Sequence, residues 1–224
     1  MTQPRRGRSE AGRAEVRREL VAAAVAQFTE HGYDETTVDA IAAAAGVGRR
    51  TFFRYFRSKE EAISPDHTAG LARVADVFET AHPSEPPALV ALRAGETVFD
   101  LYTEDPALSV ARYRLTHQVP ALRDRESASV DHYRRLLTRH LRKRLADDPD
   151  GDLRAAVVGA AVVAAHNLAL RTWLAAGAPA DGIDAMIAKY RRVADMLPVE
   201  QPSLAAVTER LEAAVDRLEQ RPPA

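Results

Sequence analysis

Between Thr36 and Lys59 the chain reads TTVDAIAAAAGVGRRTFFRYFRSK, and this run leaves few folds open. Apolar or small residues stand at Ile41, Ala42, Ala45, Val47, Phe52 and Tyr55, the places where two short crossing helices must touch. Gly46 falls where the chain has to turn sharply, in a conformation that favours positive φ. The pattern is that of a helix-turn-helix, whose second helix is expected to enter a DNA major groove. From Arg49 to Lys59 there are five basic residues (Arg49, Arg50, Arg54, Arg57 and Lys59) and no acidic one. Packing two helices together asks for no such bias, whereas a phosphate-lined groove does.

The formal net charge is −1, so attraction to DNA has to come from a local patch and not from a global field. The first residues supply more of that patch: Arg5, Arg6, Arg8, Arg13, Arg17 and Arg18 stand against Glu10 and Glu15. This arm leads into the helix-turn-helix and is expected to lie along the DNA backbone. With 224 residues, 46% of them hydrophobic, the chain can bury a sizeable core as one large domain or two small ones. Cysteine is absent, which excludes disulfides and cysteine-ligated zinc or iron–sulfur sites. No continuous apolar run reaches the ~20 residues of a membrane span. The arginine-rich start lacks the apolar core of a secretory signal. The expected location is therefore the bacterial cytoplasm, on the nucleoid when DNA is bound, with no membrane partner.

Nearly everything else reads as helix, so the fold class is all-α. Alanine, leucine, arginine and glutamate dominate, and β-branched alternation is missing. Breaks rich in Pro, Gly and Asp divide the chain into about ten helices. Val16, Leu20, Ala24 and Phe28 mark the inner face of a first helix from roughly residue 11 to 31. Thr36 or Thr37 caps the second. Ser58 to Glu61 forms a capping box for the fourth, with Glu61 returning a bond to the Ser58 amide. Ser64-Pro65 then reads as a second start, Ser64 as cap and Pro65 at the first helical position, which splits or kinks that helix. The domain expectation is a basic arm and DNA-binding head over residues 1–60, a helical effector and dimerisation domain over 61–201, and an extra amphipathic helix and tail over 202–224. In that last segment Leu204, Val207, Leu211, Ala214 and Leu218 form a heptad-like stripe.

The segments FTEHGY (Phe28–Tyr33), TTVDAIA (Thr36–Ala42), Gly46-Val47, TFFRYF (Thr51–Phe56) and Ser58-Lys59-Glu60 together resemble the TetR family of bacterial transcriptional regulators. The likeness is closest to actinobacterial members similar to the mycofactocin-system regulator. It implies a three-helix DNA-binding head followed by a helical core that dimerises and holds an effector pocket. It also implies that Thr37, Tyr55 and Lys59 meet phosphates, and that Arg49, Arg50 and Thr51 open the recognition helix against base edges. Physically this is sound. A helix N-terminus and an ammonium favour an oxyanion, and Arg pairs bidentately with guanine. Phe52 and Phe56 read as core. Phe53 joins the DNA-facing set but departs from the pattern, since the family often carries Tyr there and the hydroxyl is missing.

The resemblance places an effector cavity among the later helices, and Phe99, Tyr102, Tyr113, His117, His166, Asn167, Leu170 and Trp173 are its candidate lining. His166, Leu170 and Trp173 share one helical face. The plainer alternative is that these side chains are core. The last two bundle helices, over 153–176 and 183–197, are the expected homodimer surface, which implies a palindromic double-stranded operator. The expected function is a repressor released by a small, largely apolar effector. The competing reading is a DNA-binding or architectural protein without a small-molecule effector. An enzyme finds no support: the seven histidines are scattered, and HExxH pairs, phosphate loops and nucleophile elbows are lacking. No cofactor or metal is expected. The acidic run Asp147 to Asp152 loosely resembles a calcium loop, but Val158 stands at its twelfth position, so it reads as a turn.

Overall fold

A computed structural model describes residues 10–197. Within that range the chain forms eleven α-helices, three short 3-10 segments and no strand. The stripe over 204–218 and the arm's Arg5, Arg6 and Arg8 lie outside the described residues, while Arg13, Arg17 and Arg18 belong to the first helix.

Helix α1 (Glu10–His31) buries Val16, Leu20, Ala24 and Phe28, none more than 2% exposed. Burying a Leu or Phe of this kind stabilises by roughly 1.5–3 kcal/mol each. The helix stops at Gly32, whose φ of +84° lets the chain turn back. Helix α2 (Val38–Ala44) starts on Thr37, whose Oγ1 accepts from the Ala40 amide at 3.1 Å. Thr36 is instead buried, its hydroxyl lying between the carbonyls of Gly32 (2.7 Å) and Gln27 (3.1 Å). Gly46, at φ +66°, turns the chain into α3 (Arg49–Tyr55). Phe52 and Phe56 sit in the core with ring centroids 5.6 Å apart.

Helix α4 (Lys59–Ile63) is capped by Ser58, as expected, through the Glu61 amide at 3.4 Å. The return bond differs from expectation: the Glu61 carboxylate accepts from the Arg57 amide at 2.6 Å, not from that of Ser58. The chain does split at Ser64-Pro65, but the next helix starts later. Asp66, not Ser64, caps α5 (His67–Thr80), taking the Ala69 amide at 3.1 Å. Pro65 therefore lies before the helix, and Ser64 closes α4 by donating to the Glu60 carbonyl at 3.1 Å.

The bundle continues with α6 (Pro87–Glu96), α7 (Asp100–Thr103), α8 (Pro106–Gln118), α9 (Pro120–Arg144), α10 (Gly151–Ala175) and α11 (Ile183–Arg191), the last running into a 3-10 turn at Arg192–Met196. Helix α10 packs on α9, α11, α6 and α8. Small residues let it approach closely: a Cβ on Gly159 would stand 2.7 Å from the Thr138 hydroxyl of α9. Two apolar clusters result. One fills the head and takes in Ala62 and Ile63 of α4 with Leu115 of α8 and Leu122 of α9. The other fills the bundle around Phe99, Val162, Trp173 and Tyr190.

By length and composition α10 is apolar enough to cross a membrane. Its inner face is a core, however: Ala155, Val158, Val162, Ala169, Leu170 and Trp173 are all buried against other helices.

Candidate nucleic-acid interface and ligand cavity

The exposed face of the head carries Thr37, Arg49, Arg50, Phe53 and Arg54, with Thr51 and Tyr55 half-buried beside them. Phe52 and Phe56 point inward, and this fixes the outward direction of the residues between them. Arg49 folds back across the turn, its guanidinium 2.7 Å from the Asp39 carboxylate of α2. It also lies 5.2 Å from the centroid of the Phe53 ring. Phe53 is 46% exposed and thus serves as a platform for Arg49. Both members of the Arg49–Asp39 pair are well exposed, so it contributes about 0–1 kcal/mol and yields readily to a better partner. Arg54 covers the Tyr55 ring at 5.2 Å in the same manner.

Lys59 is placed differently from expectation. Its ammonium donates to the main-chain carbonyls of Tyr33 (2.6 Å) and Thr36 (3.0 Å). Two of its three protons are therefore committed to the corner between α1 and α2 and unavailable to a phosphate. The Tyr33 hydroxyl in turn donates to the Glu60 carboxylate. Burial first, and then this bond to a carboxylate, push the Tyr33 phenol up to about 12.

Behind the head, two adjoining chambers open in the bundle. The inner one, of about 30 Å³, is walled by Val74, Val98, Leu137 and Val162, with His67, Tyr102, Tyr133, His166 and Asn167 adding polar groups. The outer one, of about 200 Å³, lies among α8, α9 and α10 and reaches Ile63, Ser64 and Pro65 at the break between α4 and α5. Tyr102, Glu126 and Asn167 line both chambers. Of the eight candidate lining residues, Tyr102, Tyr113, His117, His166, Asn167 and Leu170 face one chamber or the other. Phe99 and Trp173 do not. Phe99 stacks flat on the His166 ring with centroids 4.1 Å apart, supporting it from behind. The Trp173 indole donates to the Pro179 carbonyl at 2.9 Å and pins the loop after α10.

The chemistry of the chambers is set by burial. His166 is 8% exposed and its Nε2 has no partner. Burial holds its imidazole down at about 4, against a partial offset from a hydrogen bond with Asn167, so it is neutral at physiological pH. Burial, and next the Glu126 charge, raise the Tyr102 phenol well above its ordinary value. The Arg112 guanidinium is lowered to about 10, by burial first and then by neighbouring Arg17. The Arg112 Nε has no partner either.

Glu126 and Arg112 escaped the sequence reading. The signal for Glu126 was present: Leu122, Glu126, Val130, Tyr133, Leu137 and Leu141 form one helical stripe, in which a carboxylate interrupts otherwise apolar or aromatic positions. Among the described residues, no group of three or more His, Asp or Glu side chains is arranged to hold a metal ion.

The family model described as bacterial regulatory proteins, tetR family, matches residues 20–62, and that described as the MftR C-terminal domain matches residues 87–198. The transcriptional regulator TcmR of Streptomyces glaucescens is 30% identical, over 70% of this chain and 72% of its own length. The Mycobacterium tuberculosis protein bearing the name mycofactocin biosynthesis transcriptional regulator MftR is 30% identical, over 54% of this chain and 61% of its own length. Among solved structures, a TetR-family regulator from Syntrophomonas wolfei aligns at a TM-score of 0.59 and 16% identity, covering 84% of this chain and all of its own. FadR of Bacillus subtilis, solved with stearoyl-CoA, aligns at 0.52 and 18% identity, covering 78% and 96%. At such identities the structural likeness speaks for the fold alone. The relatives are transcriptional regulators and not enzymes. From the paired matches over head and bundle, with TcmR alongside, this chain belongs to the TetR family of DNA-binding transcriptional regulators.

Proposed function

We propose that the protein is a cytoplasmic homodimeric repressor, released from a palindromic operator by a small, largely apolar effector that enters the two chambers. The observation that carries this reading is that Ile63, Ser64 and Pro65 line the outer chamber. A ligand lodged there presses on the break between α4 and α5. Helix α4 is clamped to the head through Lys59. Arg125 of α9 adds a second link, its Nε donating to the Ser64 hydroxyl at 3.1 Å and its guanidinium lying 3.7 Å from Glu61. The effector must bind the released conformation better than the DNA-bound one for this coupling to work. That FadR of the same fold was solved with stearoyl-CoA supports a ligand role for such a bundle.

A stripe on α10 supports the homodimer. Leu153, Val157, Ala160, Ala164 and Leu168 follow one another at spacings of three and four and are all exposed, Leu153 at 66% and Leu168 at 61%. Together with α11, this face suits a twofold contact. Two recognition helices would then read grooves one helical turn apart, about 34–36 Å.

The small volume of the chambers favours a second reading, a regulator without a small-molecule effector. Fluorescence anisotropy against the gene's own upstream intergenic DNA, with shuffled DNA as competitor at two salt concentrations, tests the first half of the proposal. Saturable binding that survives the competitor supports a sequence-specific regulator; binding that the competitor abolishes shows phosphate contacts alone. Screening small molecules for release in the same assay then decides between the two readings. Sedimentation at micromolar concentration tests the dimer, and a monomer would refute it.

A further inference from the structure

Three polar atoms at the chambers are buried without a hydrogen-bond partner: the Nε2 of His67, which faces the Glu126 carboxylate at 3.5 Å, the Nε2 of His166 and the Nε of Arg112. The last two differ in kind and have no such counter-charge facing them. The Nε2 of His166 belongs to a neutral imidazole at the inner chamber. The Nε of Arg112 belongs to a cation at the outer chamber. Unpaired groups of this sort are costly, and a ligand that satisfies them recovers that cost on binding. The surrounding charges point the same way. The outer chamber is lined by Arg112, Arg123 and Arg171 against one carboxylate, Glu126; beyond its lining, Asp105 also acts on Arg112, and Arg17 is paired with Asp66 at 3.2 Å. The wall between the chambers carries the Tyr102 ring, the Asn167 amide and the Glu126 carboxylate, while Val98, Leu137 and Val162 line the inner chamber and Leu122, Leu170 and Leu174 the outer, so an occupant of both meets apolar side chains at either end of a polar wall.

We infer that the effector is an amphiphilic monoanion whose carboxylate pairs with Arg112 and whose far end carries a hydroxyl that hydrogen-bonds to His166 Nε2. This rests on the effector reading above and narrows it to one chemical class. A hydroxyl both donates and accepts, so it suits either tautomer of the imidazole. The His166 ring is held in place by the Phe99 face, so the bond has a fixed direction. An arginine gives a carboxylate a bidentate, charge-assisted partner, and that pairing is strongest where water is excluded. Glu126 would have to yield space to the anion. Its side chain is 30% exposed and has a way out towards solvent. Its partner, His67, stands 3.5 Å from it.

Calorimetric titration with three rigid probes tests the assignment. Para-coumarate carries both groups at opposite ends of an apolar body, cinnamate lacks the hydroxyl, and para-ethylphenol lacks the carboxylate. Para-coumarate is expected to bind about tenfold or more tightly than either of the others. Arg112→Gln should erase the advantage over para-ethylphenol while keeping the advantage over cinnamate. His166→Phe, which preserves a stacking ring, should do the opposite. Thermal melts check that each variant is folded; should Arg112→Gln fail this check, Arg112→Met takes its place. Failure of all three probes to bind at millimolar concentration overturns the inference, as does equal affinity for all three. If para-ethylphenol binds as tightly as para-coumarate and releases DNA, the anionic class is wrong while the effector reading stands. If no compound in a broad screen releases DNA, both fall.

Discussion

The head and the bundle are built from similar helices but treat their buried polar groups in opposite ways. In the head, Thr36 is 2% exposed and its hydroxyl lies within reach of two carbonyls. Its neighbours Leu20, Ile41 and Phe52 are fully buried. In the bundle, Thr138, His166 and Arg112 each leave a buried atom without a partner, and the chambers lie beside His166 and Arg112. Among the described residues every such orphaned atom falls after residue 66. A core whose polar groups are satisfied holds one shape, as a surface that reads DNA must. An under-satisfied core with cavities has free energy to gain from an occupant.

The most severe way to break the head is Phe52→Ala. It should cost about 3–5 kcal/mol, read as a lower urea midpoint, and abolish DNA binding as the three helices lose their common centre. A pH titration of stability probes the bundle next. His166 has a folded value of about 4, below its unfolded value of about 6.5, so the unfolded chain binds more protons between the two. Stability is therefore undiminished above about pH 6.5 and is lost as the pH falls towards 4. His140, also lowered by burial, adds to the same slope. His166→Phe should remove its share of the loss relative to the parent chain.

A matched pair of substitutions sharpens the contrast further. Thr36→Val leaves two carbonyls without their hydroxyl and should cost about 1–2 kcal/mol by thermal melting. Thr138→Val removes a hydroxyl that already lacks a partner, and should be neutral or stabilise by about 1 kcal/mol. Equal losses at the two sites would undo the comparison. The smallest expected effect on bare DNA affinity is that of Pro65→Ala, which should instead shift the effector concentration needed for release.

Much of the head was legible in the sequence because short-range rules govern it: a threonine cap at residue 36 or 37, the Gly46 turn and the alternation of buried Phe52 and Phe56 with outward side chains. The fate of Lys59 was not, since its carbonyl partners lie 26 and 23 residues away and nothing local announces them. The same holds for the cap of α5. Ser64-Pro65 satisfies the local pattern, yet Asp66 two residues later takes the role. In the bundle the aromatic candidates divided by tertiary position. Phe99 and Trp173 have the composition of lining residues, but one supports a ring and the other pins a loop. Glu126 was legible in the sequence as the carboxylate within an apolar stripe, whereas Arg112 became visible as a lining residue only once α8, α9 and α10 were placed around a common space.

The grip of Lys59 and Glu60 on Tyr33 has a mechanical consequence. Adjacent side chains hold one residue at two points, its main-chain carbonyl and its phenol. Helix α4 is thereby riveted to the corner from which α2 departs, and no joint remains between them to absorb a displacement. A rotation of α4 is therefore passed directly to the α1–α2 corner. On the proposed coupling the stretch from Ser64 to Asp66, held by Arg125 of α9 and Arg17 of α1, is the place where a displacement enters α4.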